Sequence, residues 1–271
     1  MTLCLEFNNR GEMTMKNIQV SVINEAHSCP GGMMMFLAKL TQRGHQIKNM
    51  DDLKQLYEDS IGQHKTAKHV VKLPHGNIKR FAPIIIAVVG ASRRFLAQAR
   101  THHVGIDFVS ASLQYSDYSG NAQFVVPYEL IEKDNKLGTS YVQAYLDSCA
   151  ASMKQYKALV DAGVDNDTAG YLAPQGLRNI LIIQGNHDAW MNFIRFRACN
   201  RNTKETQYVA LRIWEALLKT ADGEEMFAWA GPDCMHGKCR EGKMSCGCPF
   251  TSDNPTTIIK AYYPLLARGD E

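Results

Sequence analysis

A chain of 271 residues, 45% hydrophobic and 21% charged, suffices for one large domain or two small ones and is too apolar to be disordered. Thirty Lys and Arg against 27 Asp and Glu leave a net charge of +3, too small for the basic footprint of a nucleic-acid binder. The longest apolar run, Phe81 to Ala91, is broken by Pro83 and Gly90 and too short to span a bilayer, and the N-terminus lacks a basic-then-apolar signal order. These features predict a cytoplasmic protein with no membrane or nucleic-acid partner, whose eight cysteines are free thiols unless they gather around a metal.

Residues 1–16 are polar and read as a loose N-terminal extension. Ile18 to Ile23 is rich in β-branched residues and predicts a strand. Met33 to Leu40 predicts a helix stopped at Gly44, and a second helix spans Asp51 to Ile61. Ile84 to Val89, bounded by Pro83 and Gly90, predicts a buried strand, and Ser92 is a fitting N-cap for a helix carrying Phe95, Leu96 and Gln98. From Thr101 to Gly120 the pattern turns irregular and polar, as in a loop or a site. Tyr141, Tyr145, Cys149, Met153, Tyr156 and Leu159 recur at helical spacing up to Gly163. Leu177 to Ile183 is short and apolar, and Asp188 to Cys199 predicts a helix. Asn202 followed by Glu205 resembles a capping box opening a last long helix that ends near Lys219. Residues 17–230 then form one mixed α/β domain with a central sheet and packed helices, and 231–271 a Cys-rich tail without periodicity.

Several clusters carry chemistry. Gln98, Arg100, Thr101, His102 and His103, followed by Ser110, Ser112, Gln114 and Tyr115, mix cations with neutral hydrogen-bonding groups, which suits a nucleotide or a self-bonded polar loop. Asn186, His187 and Asp188 stand where a strand meets a helix, and Asp188 is either a ligand contact or the helix cap. Arg195 and Arg197, two residues apart on one helix, project about 200° apart, so at most one is expected to aim into a given pocket. Cys234, Cys239, Cys246 and Cys248, with His236 nearby, match zinc-ligand spacing in part, a reduced tail being the other reading. Neither a Gly-x-Gly-x-x-Gly sequence nor a P-loop is present.

In order along the chain, His75-Gly-Asn77, the strand into Gly90-Ala-Ser92-Arg93, Gln98, Arg100-Thr-His-His, Ser112-Leu-Gln114-Tyr115, Ala173-Pro174, Asn186, Arg197 and Gln207 resemble the motifs of the flavin-dependent thymidylate synthases over residues 18–220. The departures are specific. Arg80 and Phe81 stand where the family has Glu-His, and where it has Arg-His-Arg this chain has Thr101-His102-His103 counted from Gln98, or His102-His103-Val104 counted back from Ser112, a one-residue insertion lying between. Gln114 replaces the phosphate-binding arginine, Gly170 replaces the arginine before Leu-Pro, and four extra residues separate Arg197 from Gln207.

The resemblance implies a ThyX-like fold in a homotetramer with sites shared between subunits. It implies methylation of dUMP to dTMP with methylenetetrahydrofolate, FAD as hydride donor and NADPH as reductant. Matched residue by residue, it implies dUMP contacts at Gln98, Arg100, Ser110, Ser112, Gln114 and Arg197. It implies FAD contacts at Arg100, Thr101, His102, His103, Asn186, Asp188 and Asn192, with catalytic Arg197 stabilising negative charge on the pyrimidine. Arg93, Arg94 or Arg100 would then replace the missing cation, and no cysteine has to be catalytic. Two alternatives stay open: C5 modification of another pyrimidine nucleotide, and a non-catalytic nucleotide-binding homologue.

Overall fold

The structure is a computed structural model that describes residues 15–24, 29–74, 76–120, 122–237, 239–247, 250 and 252–267. Its centre is a four-stranded sheet of β1 (Gln19–Val22), β2 (Ile84–Ser92), β3 (Ile106–Ser110) and β4 (Arg178–Gly185) in the order β1-β2-β4-β3, every neighbour antiparallel. β2 has the residues of a central strand: a β-branched run whose alternate members Ile84, Ile86 and Val88 are buried. Where the register slips between Val89 and Ala91, Gly90 takes φ 95°, a bulge conformation that a side chain would strain.

The helices are α1 (Pro30–Arg43), α2 (Met50–Ile61), α3 (Arg93–Ala99), α4 (Tyr128–Leu137), α5 (Tyr141–Asp161), α6 (His187–Arg197), α7 (Lys204–Leu218) and α8 (Pro255–Tyr262), with several shorter turns between them. Ten of the fifteen residues of α7 are buried, because it lies against β1 on one side and against α6 and α8 on others. Its Trp214 is fully buried and donates Nε1–H to the Phe227 carbonyl at 3.0 Å. A second apolar cluster gathers Phe124, Val126, Leu146, Met153, Tyr156 and Leu177 under α5.

Among the described residues, only one face of the sheet is fully covered. Ile86, Val88, Leu181 and Ile183 face the core, whereas the opposite rows carry Ile180, 41% exposed, and Val109, 70% exposed.

Most expected elements are present, and the differences have physical reasons. β3 falls inside the stretch expected to be irregular, because an edge strand of five residues, Ile106–Ser110, is too short to mark a period within a polar stretch. α4 was not expected at all; Pro127 fixes its entry, and five of its ten residues are charged. Residues 1–14 lie outside the described residues, but Met15, assigned to the extension, is fully buried. Nor is 231–271 one aperiodic tail. Ile258, Ile259 and Tyr263 are buried against α7, and the Tyr263 hydroxyl bonds Gln207 Oε1 at 2.6 Å.

The capping box is displaced by one residue. Thr203 caps α7 by accepting from Thr206 N–H at 3.4 Å, and Asn202 instead caps the end of α6, donating to the Phe196 carbonyl at 2.6 Å. Glu205 does not reach back to its own helix. Its carboxylate accepts the Ser92 N–H at 2.7 Å and the Ser92 hydroxyl at 2.5 Å, while Ser92 Oγ accepts from Phe95 N–H at 3.1 Å as the cap of α3. One buried carboxylate thus ties the end of β2 to α7.

Burial pushes the Glu205 carboxyl above its ordinary value, opposed by the two bonds from Ser92. The neutral acid is therefore more favoured in the folded state than in the unfolded one. The stability this residue confers is complete below the unfolded-state value of about 4.3 and is lost as pH rises through the folded value. Urea midpoints measured across that range should fall with rising pH in the wild type and fall less in Glu205→Gln; equal slopes would exclude Glu205 as the source.

Candidate functional site

The site forms where the end of α3, the end of α6 and the start of α7 meet, held together by Arg197. Its Nε–H donates to His102 Nε2 at 2.7 Å, Nη1–H to Asn202 Oδ1 at 3.1 Å, and Nη2–H to the Gln98 carbonyl at 3.1 Å and to the Thr101 hydroxyl. Four of the five guanidinium donors are thereby engaged, and one on Nη1 remains. Burial lowers the Arg197 value from its usual one, yet a guanidinium stays charged at any ordinary pH.

His102 accepts that bond as a neutral imidazole. Burial, the Arg197 charge and then His103 push its pKa down to about 4. Its ring packs on Phe193 at 5.1 Å and Phe196 at 6.1 Å between centroids, which fixes the orientation. Thr101, His102, Arg197 and Asn202 line a cavity of about 350 Å³, within the range of small-ligand pockets.

The other expected residues stand in neighbouring groups. Gln98 points its Oε1 at the hydroxyls of Thr203, at 3.1 Å, and Thr206, so only its amide N–H groups are available to a ligand. Arg100 donates to Ser110 Oγ at 2.9 Å, and Arg93 lies within electrostatic reach of Arg100 and Tyr118. Ser112 Oγ accepts from Gln114 N–H at 3.0 Å, and the Gln114 side chain is exposed. His103 is exposed, its Nδ1 3.2 Å from the Thr101 carbonyl. Asn192 is exposed on α6. The structure thus joins Gln98, Thr101, His102 and Arg197 directly. It sets Arg100, Ser110, Ser112 and Gln114 along the neighbouring strand and loop, and Asn186 and Asp188 at the other end of α6. His75 lies outside the described residues.

Three expectations change. The cap of α6 is Asn186, whose Oδ1 accepts from Ala189 N–H at 3.0 Å, not Asp188. Asp188 instead faces His187 Nδ1 at 3.4 Å, and this hydrogen bond, followed by Lys79 and Arg80, keeps its carboxyl below the usual range. Second, Arg195 and Arg197 line the same cavity despite their opposed directions. Both sit on the last turn of α6, where long side chains bend around the helix end, and Arg195 grips Asp233 at 2.6 and 2.9 Å. Third, Cys248 lies outside the described residues, and no group of three or more His, Cys, Asp or Glu among the described residues stands in metal-holding geometry. Cys234, Cys239 and Cys246 do line the Arg197 cavity, and Cys199, absent from the expected cluster, lines it with them. Cys199 escaped notice because its spacing to the others spans thirty-five residues of sequence and only the fold closes it.

The antiparallel sheet with a cation-lined cleft at its helix ends belongs to a known class of fold. It is similar to the UMP/dUMP methylase PolB from Streptomyces cacaoi bound with 5-Br dUMP (TM-score 0.60, 16% identity, 80% of this chain and 98% of that one). It is also similar to Thymidylate Synthase X from Helicobacter pylori with FAD and dUMP (TM-score 0.54, 16% identity, 78% and 97%). The thymidylate synthase complementing protein family model matches residues 23–221, and the chain belongs to that family, ThyX. Among its relatives, a flavin-dependent thymidylate synthase of Geobacter sulfurreducens is 28% identical over 181 residues (66% of this chain, 74% of that one). One of Pyrococcus abyssi is 25% identical over 200 residues (72% and 79%).

The depressed histidine gives a direct test. The neutral imidazole's contribution to stability is complete above the unfolded-state value of about 6.5 and is lost as pH falls toward the folded value of about 4. NMR titration should find His102 neutral down to about pH 5, and Arg197→Gln should raise its pKa only in part, since burial stays. A wild-type midpoint in the ordinary histidine range would contradict the buried Arg197–His102 contact.

Proposed function

We propose that this chain methylates C5 of dUMP to give dTMP, taking the carbon from methylenetetrahydrofolate with FAD bound and NADPH as reductant, and that it works as a homotetramer. The observation that carries the reading is Arg197, a charged guanidinium immobilised on four partners with one N–H left at the wall of a ligand-sized cavity.

The donor set fits an anionic nucleotide and a dinucleotide cofactor. Arg100 supplies positive charge at the Ser110 hydroxyl with Arg93 within electrostatic reach, and Ser112 follows along the loop, where Gln114 contributes none. These groups would hold the dUMP phosphate, with the Gln98 amide N–H groups beside the base. Thr101, His102, His103, Asn186, Asp188 and Asn192 would hold FAD with Arg100. Lys79 and Arg80, within electrostatic reach of Asp188, add the cations a diphosphate needs. When bound, FAD supplies the redox chemistry of the transfer.

The chain's own contribution is electrostatic. For C5 to act as a nucleophile, negative charge must build on the N3/O4 side of the uracil, and a fixed guanidinium there stabilises it without reorganising. Neutral His102 keeps Arg197 oriented without adding a second cation that would repel it. The exposed apolar rows around Ile180 and Val109 support assembly, since packing copies face to face would bury them. A second reading, C5 modification of another pyrimidine nucleotide, is favoured by Gln114 alone.

Because Arg197 acts on charge that develops during reaction, its loss should appear in turnover more than in binding. Arg197→Lys should release tritium from C5-labelled dUMP about a hundred- to a thousandfold more slowly, with FAD content and thermal stability matched to wild type. An ammonium cannot hold four partners in one plane. Near-wild-type release by the variant would remove Arg197 from catalysis; release from C5-labelled UMP alone would favour the second reading.

A further inference from the structure

We propose that Cys199, Cys234, Cys239 and Cys246 bind a structural zinc ion that clamps the loop after Gly231 onto the end of the helix bearing Arg197. The four cysteines come from two distant parts of the chain, the residue pair just past α6 and the segment 234–246, yet all line one cavity. Cys234 lies within electrostatic reach of Cys199, Cys239 and Cys246, and Cys199 of Cys239 and Cys246. None of the four is held in a disulfide. Four cysteine thiolates are the donor set of a closed structural zinc site.

Backbone N–H groups stand beside two of the sulfurs, Arg201 beside Cys199 and Phe250 beside Cys234, contacts of the kind that orient a ligating sulfur. The cavity wall also carries Arg195, Arg201 and Arg240 against Asp233 and Glu241, a net positive lining that suits the negative charge of a divalent ion held by four thiolates.

The loop is already drawn toward this place. Asp233 bridges Arg195 and Arg240, the latter at 3.6 Å, and Arg201 reaches both Glu241, at 3.6 Å, and the Met244 carbonyl. Gly237, Gly242 and Gly247 all have positive φ, so the chain reverses between the cysteines. The sulfurs do not stand in metal-holding geometry without the ion. Cys239 and Cys246 are exposed, Cys239 bonding Ser245 Oγ at 3.4 Å, and each closes the site by turning inward. Cys199 supplies the fourth sulfur, and its place two residues past the end of α6 is what would connect the ion to Arg197.

The test uses the full chain purified under reducing conditions without chelators. Elemental analysis should find about one zinc per chain. Cobalt exchanged into the wild type should give the visible bands of a tetrahedral four-sulfur site. Cys199→Ser should lose that spectrum and weaken zinc retention about tenfold or more against a chromophoric chelator. Cys248→Ser and Cys29→Ser should keep both. Wild-type protein that carries no zinc and gives no tetrathiolate cobalt bands overturns the proposal. So does loss of the spectrum in Cys248→Ser with its retention in Cys199→Ser, or mass spectrometry showing two of the four sulfurs joined as a disulfide. Since wild-type cobalt spectra alone can refute it, the proposal does not depend on every variant folding, nor on activity.

Discussion

A half-buried guanidinium must be surrounded by acceptors, and the arrangement around Arg197 follows from that requirement. Its four acceptors come from the end of α3 and from the turn between α6 and α7, so these segments have to meet for the charge to be compensated. Asn202 serves twice, closing the last carbonyls of α6 and accepting from Arg197. Gln98 also serves twice, through its carbonyl to Arg197 and its side chain to the hydroxyls opening α7. A charge placed by so many independent contacts cannot shift to follow a ligand. That is the property electrostatic catalysis needs, because a donor already in position costs nothing to reorient at the moment of reaction.

The same corner is braced from behind. Glu205 joins the end of β2 to α7 through Ser92, while Gln207, two residues further along α7, bonds the Ala198 carbonyl at 3.2 Å and takes the Tyr263 hydroxyl. The C-terminal helix therefore packs into the wall that supports the site. This explains why three polar side chains, Glu205, Thr206 and Gln207, run consecutively through the buried first turns of α7, each with a partner.

Much of this was legible in the sequence. β2 and α5 are readable because periodicity and burial coincide there, and Ser92 caps α3 as its position before Phe95 suggests. β3 and α4 were not readable, since an edge strand and a solvent-facing helix keep too few apolar residues to mark a period. Individual site residues such as Arg197 and His102 stand out by their motif order, but their contact does not. It joins residues ninety-five apart, and only the antiparallel return of β4 beside β2 brings them together. The partnership of Arg195 with Asp233 was hidden for the same reason, and so was the company Cys199 keeps.

The account stands most directly on whether this cleft accepts a flavin beside a uracil nucleotide. The visible absorption of the purified protein, recorded before and after incubation with FAD and then during titration with dUMP, reads both at once. The expected result is a bound-flavin spectrum that dUMP perturbs to saturation. A protein showing no flavin bands as purified and retaining none after incubation with FAD would contradict the account.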